Sequence, residues 1–364
     1  MKIKSLSLKN FKNYKSADFS FSDRINVISG ENAQGKTNLL EAVFYLSCVK
    51  TIHAKRERDL ILFNEDSASL DALVESENRD FQVKIELSNA PRKIYINGIR
   101  QPKVTEYIGS LKCVLFVPDD LSMIKEGPGV RRRFLNIAIS QLKPNYLSAL
   151  SIYNKILEQK NKLLKQESVD DILLDVYNER LAKYGAVIIK YRRDFIKQLE
   201  EVACKNHNEM SNGREILQIV YKTDRYITDD CDIEKELFRH MSERKLAERE
   251  SELSLIGPHR DDLLFLINSV SAKDFASQGQ IRTAILATKL AEREVFYQIA
   301  GEYPILLLDD VLSELDSTRQ NYVLNKIDKG QVFITSCENL ISPSLEVGKF
   351  FEISGGTLKE SREF

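Results

Sequence analysis

No run of apolar residues in the 364-residue chain approaches the roughly 18 needed to span a bilayer; Ile305–Leu308 is typical of its longest stretches. The opening Met1-Lys2-Ile3-Lys4-Ser5 lacks the apolar core of a signal peptide, so no membrane association is expected. Cysteine is scarce: Cys48, Cys113, Cys204, Cys231 and Cys337 are odd in number and scattered, with no CxxC pair. That excludes a disulfide framework and gives no zinc-site spacing. Glycine (15) and proline (8) are too few for a collagen-like or linker-dominated chain. A net charge of −1 excludes a uniformly basic nucleic-acid coat and an acidic solvating tail, though not a local basic patch. What is present is a 43% hydrophobic fraction, enough for a real core. At about 150 residues per domain, two or three cytoplasmic domains are expected.

The pattern along the chain is α/β with a helical interruption. Ile3–Leu8 and Ala17–Phe21 alternate with period two, and Ile25–Ser29 is a mostly apolar run that stops at Gly30. Residues 37–48 have helical spacing. Strand character returns over 68–100, where Asn97-Gly98 marks a hairpin, and Cys113–Val117 reads as a short buried strand. From Asp119 to about Ser211 there is no strand signal. Residues 144–166 and 170–210 read as two long amphipathic helices, an antiparallel arm inserted into an α/β domain. Ile216–Tyr221 and a pair around Leu263–Val270 read as strands, and 232–248 as a helix. Then follow a helix from Gly279 to Ile299, a strand at Ile305–Leu308, a helix near 318–327 and a strand at Val332–Ile334. The expected division is a discontinuous first domain, 1–118 plus 250–364, and an arm, 119–249.

Gly30-Glu31-Asn32-Ala33-Gln34-Gly35-Lys36-Thr37 matches GxxxxGK[ST] between a strand and a helix, the context that motif requires. Its glycines let successive N–H groups converge on phosphate oxygens, and the helix start adds partial positive charge. Lys36 would reach the β- and γ-phosphates of ATP, and the Thr37 hydroxyl would ligate Mg²⁺. Ile305–Leu308 ends in Asp309, placed to support the metal. Asp310 follows, and two adjacent carboxylates repel unless a cation or a proton-transfer role uses them. Ser277-Gln278-Gly279-Gln280 precedes a helix. Alone it reads as an N-cap; equally it offers a hydroxyl and bare N–H groups to an anion.

The order of these motifs, followed by Ser313-Glu314-Leu315-Asp316, resembles the ABC-type ATPases. Six colinear segments, among them Phe116–Leu121, Arg131–Phe134 and Gly257–Asp262, with Leu8–Tyr14 ahead of the first, narrow the resemblance to the RecF family of SMC-like repair ATPases. It runs from about residue 2 to 340. The resemblance implies an ABC-type P-loop head bearing a mostly helical arm. It implies an ATPase, with Lys36 and Asp310 in catalysis and Thr37 and Asp309 on the metal. Ser277, Gln278, Gly279 and Gln280 would complete the site of a second protomer, with Ser313 and Asp316 in the interface loop. Such proteins bind DNA, duplex and gapped or single-stranded, form ATP-dependent homodimers, and act with RecO and RecR to load RecA at gaps. Asp310 stands where many relatives of this type carry glutamate. Thr335-Ser336-Cys337 replaces a switch histidine, and Val117-Pro118-Asp119 stands where a glutamine loop would be; these departures point to slow hydrolysis. Candidate DNA-binding cations are Lys55, Arg56, Arg58, Arg131, Arg132 and Arg133, with Lys190, Arg192 and Arg193 on the arm. His259 and Arg260 fit a structural brace or a ligand contact. A transporter ATPase subunit shares the three motifs but not the long helical insert. A non-hydrolysing DNA protein would make no use of Asp310.

Overall fold

The computed structural model describes every residue except 55, 78, 224–226, 229, 230 and 337–346. The chain divides into two compact units, Met1–Asp120 with Leu286–Phe364, and Leu121–Ile285.

Among the described residues the first unit holds two six-stranded sheets. One is an antiparallel meander in the order Tyr14–Ser20, Lys2–Phe11, Ser67–Glu75, Phe81–Ser88, Lys93–Ile96, Ile99–Gln101. Asn97 and Gly98, both at positive φ, make its last turn, as the Asn-Gly pair predicts. The other sheet runs Thr357–Glu363, Gly348–Ser354, Ile25–Ser29, Val332–Ser336, Ile305–Leu308, Cys113–Phe116. It is parallel apart from the outer strand, Thr357–Glu363. Ile25–Ser29 and Ile305–Leu308 are buried along their whole length, which is why the first reads as mostly apolar and the second as an unbroken apolar run. The sheets are joined by aromatic contacts: the Phe21 ring lies 4.8 Å from Phe333 and 5.4 Å from Phe351. The buried Gln331 amide fastens them further. It accepts from Ile3 N–H (2.7 Å) and donates to the carbonyls of Ile3 and Ser22 (2.8 Å each).

The second unit is built on Pro144–Leu164 and the 40-residue helix Asp171–Met210. The Asp170 carboxylate caps the long helix by accepting from the N–H groups of Ile172 and Leu173, so the expected break at Ser168–Asp170 is a helix start. Strand Asp262–Ile267 pairs antiparallel with Leu217–Lys222 over its whole length. That pairing draws residues 250–285 into the helical unit, so the packing boundary lies after Ile285 rather than near residue 250. The expected helix at 232–248 is two, Ile233–Glu243 and Lys245–Ser251.

The Gly257–Asp262 segment ties this unit together. Gly257 is at φ +129°, and a Cβ there would lie 2.3 Å from the Tyr153 hydroxyl. His259 bonds Tyr153 through Nδ1 (2.6 Å) and the Ser254 carbonyl through Nε2 (3.0 Å), and Arg260 donates to the same carbonyl. Arg192, 2% exposed, donates to the Pro258 carbonyl and the Asn136 amide oxygen and lies 3.6 Å from Asp261. These are contacts of a bracing kind, and Arg260 stays exposed.

Burial holds His259 neutral and lowers its pKa from 6.5 to about 4. The folded pKa is depressed, so the stability it contributes is present above pH 6.5 and is lost as pH falls toward 4. Wild type should therefore lose more stability over that window than His259→Gln, by about 3 kcal/mol at most. Urea melts of both proteins at intervals from pH 7 to 4 measure the difference; parallel curves would contradict it.

Candidate nucleotide site

Strand Ile25–Ser29 delivers the chain into the Gly30–Gly35 loop, and helix Lys36–Cys48 leaves it. No side chain caps that helix at Gly35, which leaves its first N–H groups for an anion. The two glycines are required for different reasons. At Gly30 (φ +153°) a Cβ would lie 2.3 Å from the Ile353 carbonyl oxygen. At Gly35 (φ +118°) it would meet the Asn13 amide at 2.8 Å and the Tyr14 hydroxyl at 3.1 Å. Asn13 and Tyr14 buttress the loop: Asn13 Nδ2 donates to the Gln34 carbonyl (3.0 Å), and Tyr14 Oη to that of Gly35 (2.8 Å). From the other side, the turn of the hairpin Gly348–Glu363 donates Gly356 N–H to the Gln34 carbonyl (2.9 Å) and Gly355 N–H to the Gln34 side chain (2.6 Å). Sequence reasoning used Asn13-Tyr14 only as part of a resemblance and missed the hairpin, although Gly355-Gly356 between two strand-like runs is a turn signal.

Glu31, Asn32, Ala33, Gly35, Lys36, Thr37, Asn38, Asp309, Asp310 and Thr335 line one cavity of about 130 Å³. Lys36 is buried and its ammonium donates to the loop carbonyls of Gly30 and Glu31. The Thr37 hydroxyl donates to Asp309 Oδ1 at 3.0 Å, and the Thr335 hydroxyl donates to the same oxygen at 2.7 Å. Burial raises the Asp309 pKa, opposed by these two hydroxyls. A buried carboxylate bonded to the P-loop threonine is a donor set that fits Mg²⁺: hard oxygen ligands whose desolvated charge a cation would restore. Asp310 is held at φ +53°, a left-handed conformation that aspartate tolerates better than most residues. Its N–H donates to Thr335 Oγ1 (2.8 Å), and its carboxylate accepts from Ser313 Oγ (2.7 Å). Thr335, noted in the sequence only as a missing histidine, thus holds the Asp309 carboxylate and the Asp310 backbone.

The other expected site residues lie elsewhere. Asp316 caps helix Ser317–Lys326 by accepting from Arg319 N–H (3.0 Å). Ser277 and Gln280 belong to the second unit and form a reciprocal cap: Gln280 N–H donates to Ser277 Oγ (3.3 Å), and Ser277 N–H to Gln280 Oε1 (2.8 Å). The cap reading of this motif is therefore correct as far as it goes. Yet Ser277, Gln278 and Gly279 stay exposed, and a Cβ on Gly279 would meet nothing within 4 Å. Among the described residues no contact requires glycine there.

Of the expected DNA-binding cations, Arg131 is withdrawn. It is 4% exposed and its guanidinium is spent on Asp262 (2.6 and 3.0 Å) and on the carbonyls of Met123 and Glu126. Arg192 is excluded on the same ground, and Arg132 donates to the Asp261 carbonyl. Arg56, Arg58 and Arg133 are exposed; Lys55 lies outside the described residues.

Residues 2–347 match the RecF/RecN/SMC N-terminal domain model. The chain is 41% identical over 370 residues to the DNA replication and repair protein RecF of Listeria monocytogenes, covering 99% of this chain and 100% of that one. The chain belongs to the RecF family. RecF of Bacillus mycoides is 40% identical over 98% of both chains. Among solved structures, the recombination mediator protein RecF with ATP, of the RecFOR pathway, superposes with a TM-score of 0.91 at 34% identity, over 100% of this chain and 97% of that one. The Smc head domain of Pyrococcus furiosus, at 16% identity and TM-score 0.57, shares the fold. The expected ABC-type α/β head is thus the RecF fold, and the helical insert that argued against a transporter subunit is part of it.

Proposed function

We propose that this chain is a cytoplasmic ATPase of recombinational repair in which ATP clamps two copies together on DNA. The observation that carries this reading is the 3.0 Å bond between Thr37 and Asp309, which joins the P-loop helix to the Ile305–Leu308 strand end at one buried carboxylate. ATP phosphates would lie against the N–H groups of Glu31–Lys36. The Lys36 ammonium would exchange two loop carbonyls for phosphate oxygens, a stronger, charge-assisted pairing. Thr37 and Asp309 would hold Mg²⁺, which when bound neutralises phosphate charge. Asp310, oriented by Ser313 and Thr335, would accept a proton from the attacking water. The exposed turn Ser277–Gly279 of a second copy would close the site, which accounts for a glycine with open space above it. Ser313 and Asp316 would lie in the same contact. Each site being composite, a lone chain would turn over slowly. Hydrolysis would then open the clamp and release DNA. Arg56, Arg58 and Arg133, with Lys55, are the cations offered to phosphates, without base readout. Loading of RecA at gaps, with RecO and RecR as partners, would complete the role, a reading supported by the likeness to a recombination mediator of the RecFOR pathway.

Light scattering with and without Mg²⁺–ATP tests the clamp. Wild type should double in mass with ATP. Ser277→Arg should remain monomeric while binding nucleotide normally. The lost helix cap costs about 1 kcal/mol, too little to unfold the unit. A monomer under all conditions would leave only a generic P-loop nucleotidase.

A further inference from the structure

The reciprocal cap at Ser277 and Gln280 starts helix Gln278–Ala300, here the signature helix, and depends on which way round the Gln280 amide sits. Its Oε1 must face the Ser277 N–H, where it accepts at 2.8 Å. A glutamine amide can turn end for end at little cost, and the reversed amide would set its NH₂ against another N–H donor. One side chain selects the orientation observed. Gln280 Nε2 donates to Glu215 Oε1 at 2.8 Å, and an ionised carboxylate only accepts. Glu215 is itself fixed from several directions. Its second oxygen lies 3.7 Å from Nε2 of His207, which is wholly buried in the last turn of the 40-residue helix. Its carbonyl accepts from Ser211 Oγ (3.4 Å), and the next residue, Ile216, exchanges 2.9 Å hydrogen bonds with Asn268 through both backbone groups. All of these residues belong to the second unit.

We infer that Glu215 is a positioning residue for the nucleotide site: by setting the Gln280 amide it fixes the Ser277–Gly279 turn in the form presented to ATP bound by a second copy. The inference rests on the clamp reading given above. It also makes the signature answer to the arm, since the same carboxylate spans the end of the long arm helix and the start of the signature helix.

The test uses the full chain and two readouts. A fluorescent ATP analogue at protein concentrations too low for dimerisation reports the P-loop alone. Sedimentation velocity against protein concentration at saturating Mg²⁺–ATP reports the clamp. Glu215→Ala should need about tenfold more protein to dimerise, the size of effect expected when one helix cap is released, with analogue affinity unchanged. Glu215→Gln, which keeps an acceptor oxygen but adds an NH₂ that can pair with the reversed amide, should recover only part of the wild-type behaviour. Dimerisation of Glu215→Ala at wild-type concentrations would overturn the inference, as would an equal loss of analogue binding, which would indicate general damage to the fold. A wild type that does not dimerise with ATP would instead remove the clamp reading, and this inference with it.

Discussion

Lys36→Met should abolish ATP-dependent dimerisation and reduce nucleotide affinity by about a hundredfold, the equivalent of two charge-assisted hydrogen bonds. Lys36 is buried, at 7% exposure, and among the described residues its ammonium is the one cation lining the cavity of the P-loop and the two aspartates. Methionine matches the stem in length and apolar character, so the packing beneath the loop should survive. The loss is confined to the charge, and with it goes the attraction for phosphate. Isothermal titration with ATP and Mg²⁺ reads the affinity, and circular dichroism checks the fold. An affinity within threefold of wild type would mean that the loop carbonyls of Gly30 and Glu31 are the permanent partners of this lysine.

Asp310→Asn should behave in the opposite way. Turnover should fall by about a hundredfold or more, the contribution of a positioned general base, while ATP-dependent dimerisation persists or strengthens. The substitution suits the test because asparagine also tolerates the left-handed conformation at φ +53°, and its amide oxygen can still accept from Ser313. The backbone bond to Thr335 is untouched. Single-turnover phosphate release gives the rate, and light scattering gives the dimer. Unchanged turnover would remove Asp310 from the chemistry and leave it as a turn residue joining Ser313 to Thr335.

The parts of this molecule that read clearly in the sequence are those whose signal is local. Ile25–Ser29 and Ile305–Leu308 are found with the bounds expected, because central parallel strands are apolar on both faces. Asn97-Gly98 turns where its type demands. The two arm helices differ from expectation by a residue or two at their ends. The phosphate loop was legible because glycine spacing and a lysine are written contiguously. Pairings over long sequence separations were not legible. Nothing in the periodicity of Leu217–Lys222 says that it will pair with Asp262–Ile267 and carry the signature turn into the helical unit. Arginines misled for a related reason. Arg131 and Arg192 have the composition of a DNA-binding patch, and only their carboxylate and carbonyl partners, over a hundred positions away for Asp262, turn them inward. Support for the P-loop was hidden in the same way, in Asn13, Tyr14, Thr335 and a hairpin more than three hundred residues downstream.

That last separation has a consequence for synthesis. Ile25–Ser29, the strand that feeds the phosphate loop, takes both of its neighbours from the far end of the chain, Val332–Ser336 and Gly348–Ser354. At translation rates of about 5–20 residues per second, it leaves the ribosome some 15–60 s before either partner exists. During that interval a mostly apolar strand with two open edges is a segment in need of a chaperone. Leu121–Ile285 is translated in one uninterrupted piece and can fold while the nascent head waits.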